Sequence, residues 1–223
     1  MDAWAELKSV IARLRAEQPG VLQGHPDPAA DTHQPPFMLV LAPWAVETAR
    51  DLHERFGDRV TLTVGALPYP PGRAPAGPRE QPAGPRPPVE SLDPSEAEIE
   101  LDGPAVVRSG HTLRHGLLLR NRSRRELAVA TNGQVTAVVV DPGRGEVVGG
   151  FAGWQILPLI TFRVAPGETE RIPLLIGTAS VRPELGYTVP AGEWGLQADL
   201  AFASGLAERV QRRTPVLPLT ITP

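Results

Sequence analysis

The spacing of apolar residues divides the chain into two regions of different period. Trp4, Leu7, Ile11 and Leu14 recur at steps of three and four, the signature of one buried helical face, so residues 1–18 read as a helix stopped by Pro19-Gly20. Val21 to Gly24 suits a short edge strand. Phe37 to Leu41 is an unbroken apolar run of strand length, which implies burial on both faces. Pro43 fits the first position of a second helix, Trp44, Thr48, Leu52 and Phe56 mark its buried face, and Gly57 is placed to cap it. Residues 59–64 then alternate as a strand. The order helix, weak strand, strand, helix, strand predicts a small α+β layer over residues 1–66. A layer of that size is marginal alone and should dock on the rest of the chain.

From residue 91 onward the period shortens to two. Ala97, Ile99 and Leu101 alternate, as do Leu113, His115, Leu117 and Leu119. Residues 127–131 lead into Asn132-Gly133, a hairpin signal, and then into residues 134–140. Asp141-Pro142-Gly143 and Ala165-Pro166-Gly167-Glu168 are further turns, and residues 171–176, 194–200 and 216–221 complete the strands. Many short strands punctuated by Gly and Pro predict an antiparallel β-sandwich over residues 93–223. The fold class expected is therefore two modules, a small α+β N-terminal layer followed by a mainly antiparallel, immunoglobulin-like β-sandwich. Residues 67–92 separate them. Nine prolines fall between positions 68 and 88 with Tyr69 almost the sole large apolar residue, a composition that buries too little to offset its ordering entropy and reads as a linker open to proteases.

Two segments carry a family resemblance. Residues 117–123, ending in Asn121-Arg122-Ser123, are followed by Thr131-Asn132-Gly133 and by Val138-Val139-Val140-Asp141-Pro142-Gly143. Then come Val164-Ala165-Pro166-Gly167-Glu168 and Pro190-Ala191-Gly192-Glu193-Trp194. This order of features, over residues 113–200, resembles the bacterial immunoglobulin-like sandwiches of the intracellular subtilisin-type proteinase inhibitor family. The resemblance implies a sandwich fold and, as an alternative function, proteinase inhibition. The aromatic-rich segment that follows the Asp hairpin in that family is replaced here by Val148-Gly149-Gly150-Phe151.

Composition narrows the chemistry. The 223 residues contain no cysteine, which removes disulfides, thiolate metal sites and cysteine nucleophiles and favours a cytoplasmic protein. The net charge of -3 gives no basis for expecting nucleic acid or an anionic membrane as partner. Lys8 is the sole lysine, and with 22 Gly and 26 Pro the bias is that of a GC-rich bacterial gene. Residues 1–6 lack a signal-peptide pattern, and no apolar run reaches membrane-spanning length.

Few residue groups suggest chemistry. His25, Asp27, Asp31 and His33 lie within nine positions and offer imidazole and carboxylate donors, so a metal-dependent enzyme built on the His25/His33 loop is a third reading. A solvated, proline-broken loop before a buried strand accounts for them better, since no fixed helical spacing places two of these ligands on one face. His111 and His115 sit on a strand, about 13 Å apart at about 3.3 Å per residue, too far to share an ion; His115 should find a backbone partner instead. Arg120, Arg122, Arg124 and Arg125 form a basic run without interleaved aromatics and read as a solvated turn. Gly149-Gly150 precedes no helix and reads as a bend or bulge. No catalytic residue, cofactor or metal is expected.

The leading expectation is a non-catalytic protein-binding module. Residues 177–193 join two strands by more than a hairpin needs and carry Arg182 and Tyr187. Together with Trp154 in an irregular stretch, these are the residue types that dominate interfaces. They form the expected partner-binding edge, with an inward-packed Tyr187 as the alternative.

Overall fold

A computed structural model describes residues 3–24, 37–72, 89–153, 159–204 and 208–223. Among the described residues the polypeptide is mostly β-strand, with two α-helices. It holds two separate hydrophobic clusters, one formed within residues 7–64 and the other within residues 92–221.

The N-terminal cluster lies between α1 (Ala3–Glu17) and α2 (Val46–Phe56) and a four-stranded sheet of β1 (Leu22–Gly24), β2 (Phe37–Leu41), β3 (Val60–Val64) and β4 (Leu67–Tyr69), in the order β1-β2-β3-β4. β2 and β3 are parallel, joined through α2, and both edge strands are antiparallel. Phe37, Leu39 and Leu41 of β2 share this cluster with Leu7, Val10 and Leu14 of α1. Each fully buried side chain of this size contributes about 1.5–3 kcal/mol. Two boundaries differ from those read in the sequence. α2 begins at Val46, because Pro43 and Trp44 occupy a turn closed by the Ala45 N–H to the Ala42 carbonyl at 2.9 Å. The buried face is therefore Ala45, Ala49, Leu52 and Phe56, and Trp44 stands 41% exposed. The N-terminal sheet also runs past residue 66, since Leu67–Tyr69 pairs with β3.

The remaining strands are β5 (Glu90–Ser91), β6 (Ala97–Leu101), β7 (Val106–Arg108), β8 (Thr112–Asn121), β9 (Leu127–Thr131), β10 (Val135–Val140), β11 (Val147–Gly150), β12 (Ile160–Val164), β13 (Thr169–Gly177), β14 (Ala179–Ser180), β15 (Gly192–Gln197), β16 (Asp199–Ser204), β17 (Glu208–Arg213) and β18 (Leu217–Thr222). They form a nine-stranded sheet, β6-β8-β13-β10-β15-β18-β7 with β11 attached to β10 and β14 to β11, and a five-stranded sheet, β12-β9-β16-β17-β5. Most pairings are antiparallel; β10–β13, β18–β7 and β17–β5 are parallel. Alternation brings Leu117, Leu119, Ile172, Leu174, Ile176 and Leu196 of the larger sheet into one core with Val129 and Leu200 of the smaller. Glu90 and Ser91 already pair with β17, and Leu92 is buried in this core, so the chain joins the sandwich before residue 93. The proline-rich residues 73–88 between the two regions lie outside the described residues.

Two connections differ from the sequence pattern. Asn132-Gly133 does not close a hairpin: β9 belongs to the five-stranded sheet and β10 to the nine-stranded one. A tight type I′ hairpin turn needs positive φ at both central residues, whereas only Gly133 has it, at φ 82°. The apolar run 194–200 is likewise two strands. At Ala198 the chain leaves one sheet for the other, and the partner strand crosses beside it at Thr214, whose Oγ1 accepts the Ala198 N–H at 3.1 Å. Such corners are how paired strands pass between packed sheets. At Gly149-Gly150 the expected irregularity is present as a register shift, with Val139 opposite Gly149 but Val140 opposite Val147.

Candidate recognition face at the seam between the layers

The two regions touch where the 177–193 loop meets the β3–β4 end of the N-terminal sheet. Tyr187 packs against the N-terminal cluster, its hydroxyl donates to the Pro68 carbonyl at 3.2 Å, and its ring centroid lies 6.3 Å from that of Tyr69. Burial pushes the Tyr187 phenol pKa above its ordinary value, and Tyr69 adds to the shift. His53 of α2 meets the edge of Tyr69 at 5.9 Å. Arg50 lies near Tyr69 as well, its guanidinium pKa raised first by Glu47 and then by a hydrogen bond to Tyr69. Gly65 lets the layers approach: at φ 58° its own Cβ would stand 3.3 Å from that of Ala179.

A second aromatic contact lies beside the first. Trp44 stacks on His111 at 4.7 Å with 22° between the planes. Gly110 connects the contacts, since a Cβ there would meet Thr188 Cγ2 at 3.1 Å and Trp44 Cβ at 3.5 Å. Trp44, His111, Thr188 and Tyr187 thus form one continuous strip with Tyr69.

The 177–193 loop is held down along its length. Thr178, 1% exposed, donates through Oγ1 to the His111 carbonyl at 3.0 Å. The Ser180 N–H donates to the Tyr187 carbonyl, the Val189 N–H to the Thr178 carbonyl, and Ser109 Oγ to the Val189 carbonyl at 2.7 Å. Trp194 Nε1 donates to the Pro190 carbonyl at 2.9 Å while its ring packs on the sandwich core.

Of the three residues expected at a partner-binding edge, Tyr187 turns to the chain's own N-terminal layer; a hydroxyl beside an aromatic ring is best satisfied there by the Pro68 carbonyl. Arg182, in the same loop, pairs with Glu146 at 2.7 Å. Trp154 lies outside the described residues, as do His25, Asp27, Asp31 and His33. Sequence reasoning missed Trp44 and His111, because Trp44 fitted the helical stripe and the contact joins positions 67 residues apart.

The other groups singled out in the sequence serve the fold. His115 Nε2 lies 3.2 Å from the Gly103 carbonyl. Arg122 and Arg125 pair with Glu98 and Glu96, exposed contacts of small net value. Asn121, fully buried, donates through Nδ2 to the carbonyls of Arg125 at 2.7 Å and Val164 at 2.8 Å, and accepts the Ser123 N–H and Oγ–H at 2.8 Å each. Asp141 Oδ1 accepts the N–H groups of Gly143 and Arg144, shaping its turn. Among the described residues, no group of three or more His, Asp or Glu side chains is placed to hold a metal, and no helix is long and apolar enough to cross a membrane.

No family model matches the chain, and no curated protein matches it. Among solved structures, the sporulation control protein Spo0M of Bacillus subtilis is similar at 12% identity and a TM-score of 0.28, covering 56% of this chain and 48% of that one. The chain thus spans about half of that protein's length. The CooA pilin subunit of enterotoxigenic Escherichia coli is similar at 10% identity and a TM-score of 0.27, covering 57% of this chain and 99% of that one. A PapD-like domain of human CEP192 is similar at 11% identity and a TM-score of 0.27, covering 66% of this chain and 100% of that one.

Proposed function

We propose that this chain is a non-catalytic, cytoplasmic protein-binding module on an immunoglobulin-like sandwich, and that the strip Trp44–His111–Thr188–Tyr187–Tyr69 is its recognition face. The observation that carries this reading is Trp44. A large aromatic held flat on His111 yet 41% exposed has already lost most of its conformational freedom, so little remains to be lost on binding. Trp, Tyr and Arg are the residues that dominate interface energetics, and the strip offers Trp44 and two tyrosines, with Arg182 in the same loop as Tyr187.

Affinity capture from the source cell's lysate, comparing wild type with Trp44→Ala, tests the reading. A discrete protein retained by wild type and lost at least about thirtyfold with Trp44→Ala, at a stability cost below about 1 kcal/mol, supports it. Equal capture by both proteins refutes it.

A further inference from the structure

We propose that the aromatic strip takes a proline-rich segment of a partner protein, bound as a polyproline II helix; this rests on the strip being the recognition face and names what it recognises. The chain shows the mode on itself. Leu67-Pro68-Tyr69-Pro70-Pro71 begins as the extended strand β4. The Tyr187 hydroxyl donates to the Pro68 carbonyl at 3.2 Å, and the Tyr187 ring lies beside that of Tyr69. A polyproline helix makes no internal hydrogen bonds. Its carbonyls are therefore open to a donor of this kind, and its pyrrolidine rings to flat aromatic surfaces. One end of the strip is used in this way. At the other end Trp44 is 41% exposed, its plane fixed by the stack on His111.

The backbone around the strip selects against an added β-strand. The N–H groups of Ser180 and Val189 bond to the carbonyls of Tyr187 and Thr178, and the Val189 carbonyl accepts the Ser109 hydroxyl. These positions leave an incoming strand no ladder to extend, which is what strand addition requires. The ligand must hold an extended shape without backbone pairing, and proline does so with little conformational freedom left to lose. Spacing agrees. Thr188, next to Tyr187 in the chain, and Trp44 both border the space over Gly110, where a Cβ would meet them at 3.1 Å and 3.5 Å. Trp44 thus stands within about two turns of a polyproline helix, about 9 Å each, of Tyr187. Prolines three or six residues apart would reach both ends. Aromatic platforms also stack nucleic acid bases, but the net charge of -3 works against a polyanion.

Fluorescence anisotropy of a labelled decaproline peptide, titrated with the full chain, tests the proposal. A Gly/Ser peptide of equal length and an oligothymidine are the comparison probes. Decaproline is expected to bind saturably with a Kd below about 1 mM, and the other two not to bind. Trp44→Ala should weaken decaproline binding at least about tenfold. His111→Ala keeps the indole but removes its support, and should weaken binding by between about twofold and tenfold; it carries the test if circular dichroism shows that Trp44→Ala does not fold. No decaproline binding by wild type at about 1 mM overturns the proposal. So does equal binding of the Gly/Ser peptide, a preference for oligothymidine, or binding that both variants leave unchanged. A lysate protein whose capture depends on Trp44 but that excess decaproline fails to displace overturns it too, while leaving the recognition face itself standing.

Discussion

Replacing Asn121 by alanine removes four hydrogen bonds at one point of the sandwich, and the cost follows from where each partner is left. The Val164 carbonyl is fully buried, so losing the Nδ2 donor strands it away from water, at about 1–3 kcal/mol. The Arg125 carbonyl and the Ser123 N–H and hydroxyl lie at a part-buried turn, where water replaces some of the loss and each costs about 0.5–1 kcal/mol. The cavity left by the amide adds to this. The sum is about 3–6 kcal/mol, or about 6–24 °C in Tm for a chain of this size. Asn121→Asp keeps the volume and the acceptor oxygen for Ser123 but turns both donors into an oxygen facing two carbonyls, and should fall at least as far at neutral pH. Thermal and urea unfolding followed by circular dichroism measure both variants. A cost below about 1 kcal/mol for Asn121→Ala would refute the reasoning, because it would mean that Asn121 does not hold the turn to the end of β12.

Gly149→Ala should destabilise by about 1–3 kcal/mol or more, because the added methyl would overlap Val189 Cγ2 and stand 2.6 Å from the Ala179 carbonyl; urea unfolding against an exposed Gly143→Ala control, where φ is not positive and the nearest contact is 3.4 Å, checks it. Tyr187 has a raised pKa, so its contribution to stability is full below the ordinary tyrosine value of about 10 and declines as pH rises through its folded value. Ultraviolet titration should show a late-ionising component, which Tyr187→Phe removes; since the chain has two tyrosines, the assignment is direct. Arg182→Ala breaks an exposed pair with Glu146 and should cost no more than about 1 kcal/mol in chemical unfolding.

The sandwich was legible in the sequence wherever an alternating strand faced one core. Leu117 and Leu119, or Leu127 and Val129, announce their burial through period two alone. Pairing partners were not legible. The Asn132-Gly133 dipeptide marks a turn, but whether the next strand returns beside the first or crosses to the other sheet depends on backbone angles and on the distant strand β13, which claims the edge of β10. The strand 194–200 similarly conceals a change of sheet at Ala198, fixed by a hydroxyl from Thr214. The helix face was shifted because Ala45 and Ala49 are weakly hydrophobic while Trp44 is strongly so, and Pro43 draws Trp44 into the turn. That same shift hid the seam, since a tryptophan assigned to a helix core is not sought at a surface. Tyr187 could be singled out by its loop length and chemistry, but its contact with Tyr69 spans 118 residues and leaves no local pattern.

The most direct measurement of the recognition face is site-specific photocrosslinking in the living source cell, with a photoreactive aromatic residue in place of Trp44 and, as a control, in place of Glu100 on the exposed face of β6. The account predicts a discrete protein adduct from position 44 that is missing from position 100 and fades when Arg182→Ala is added. Identical adducts from both positions, or none from position 44 in cells that contain the folded protein, would contradict it.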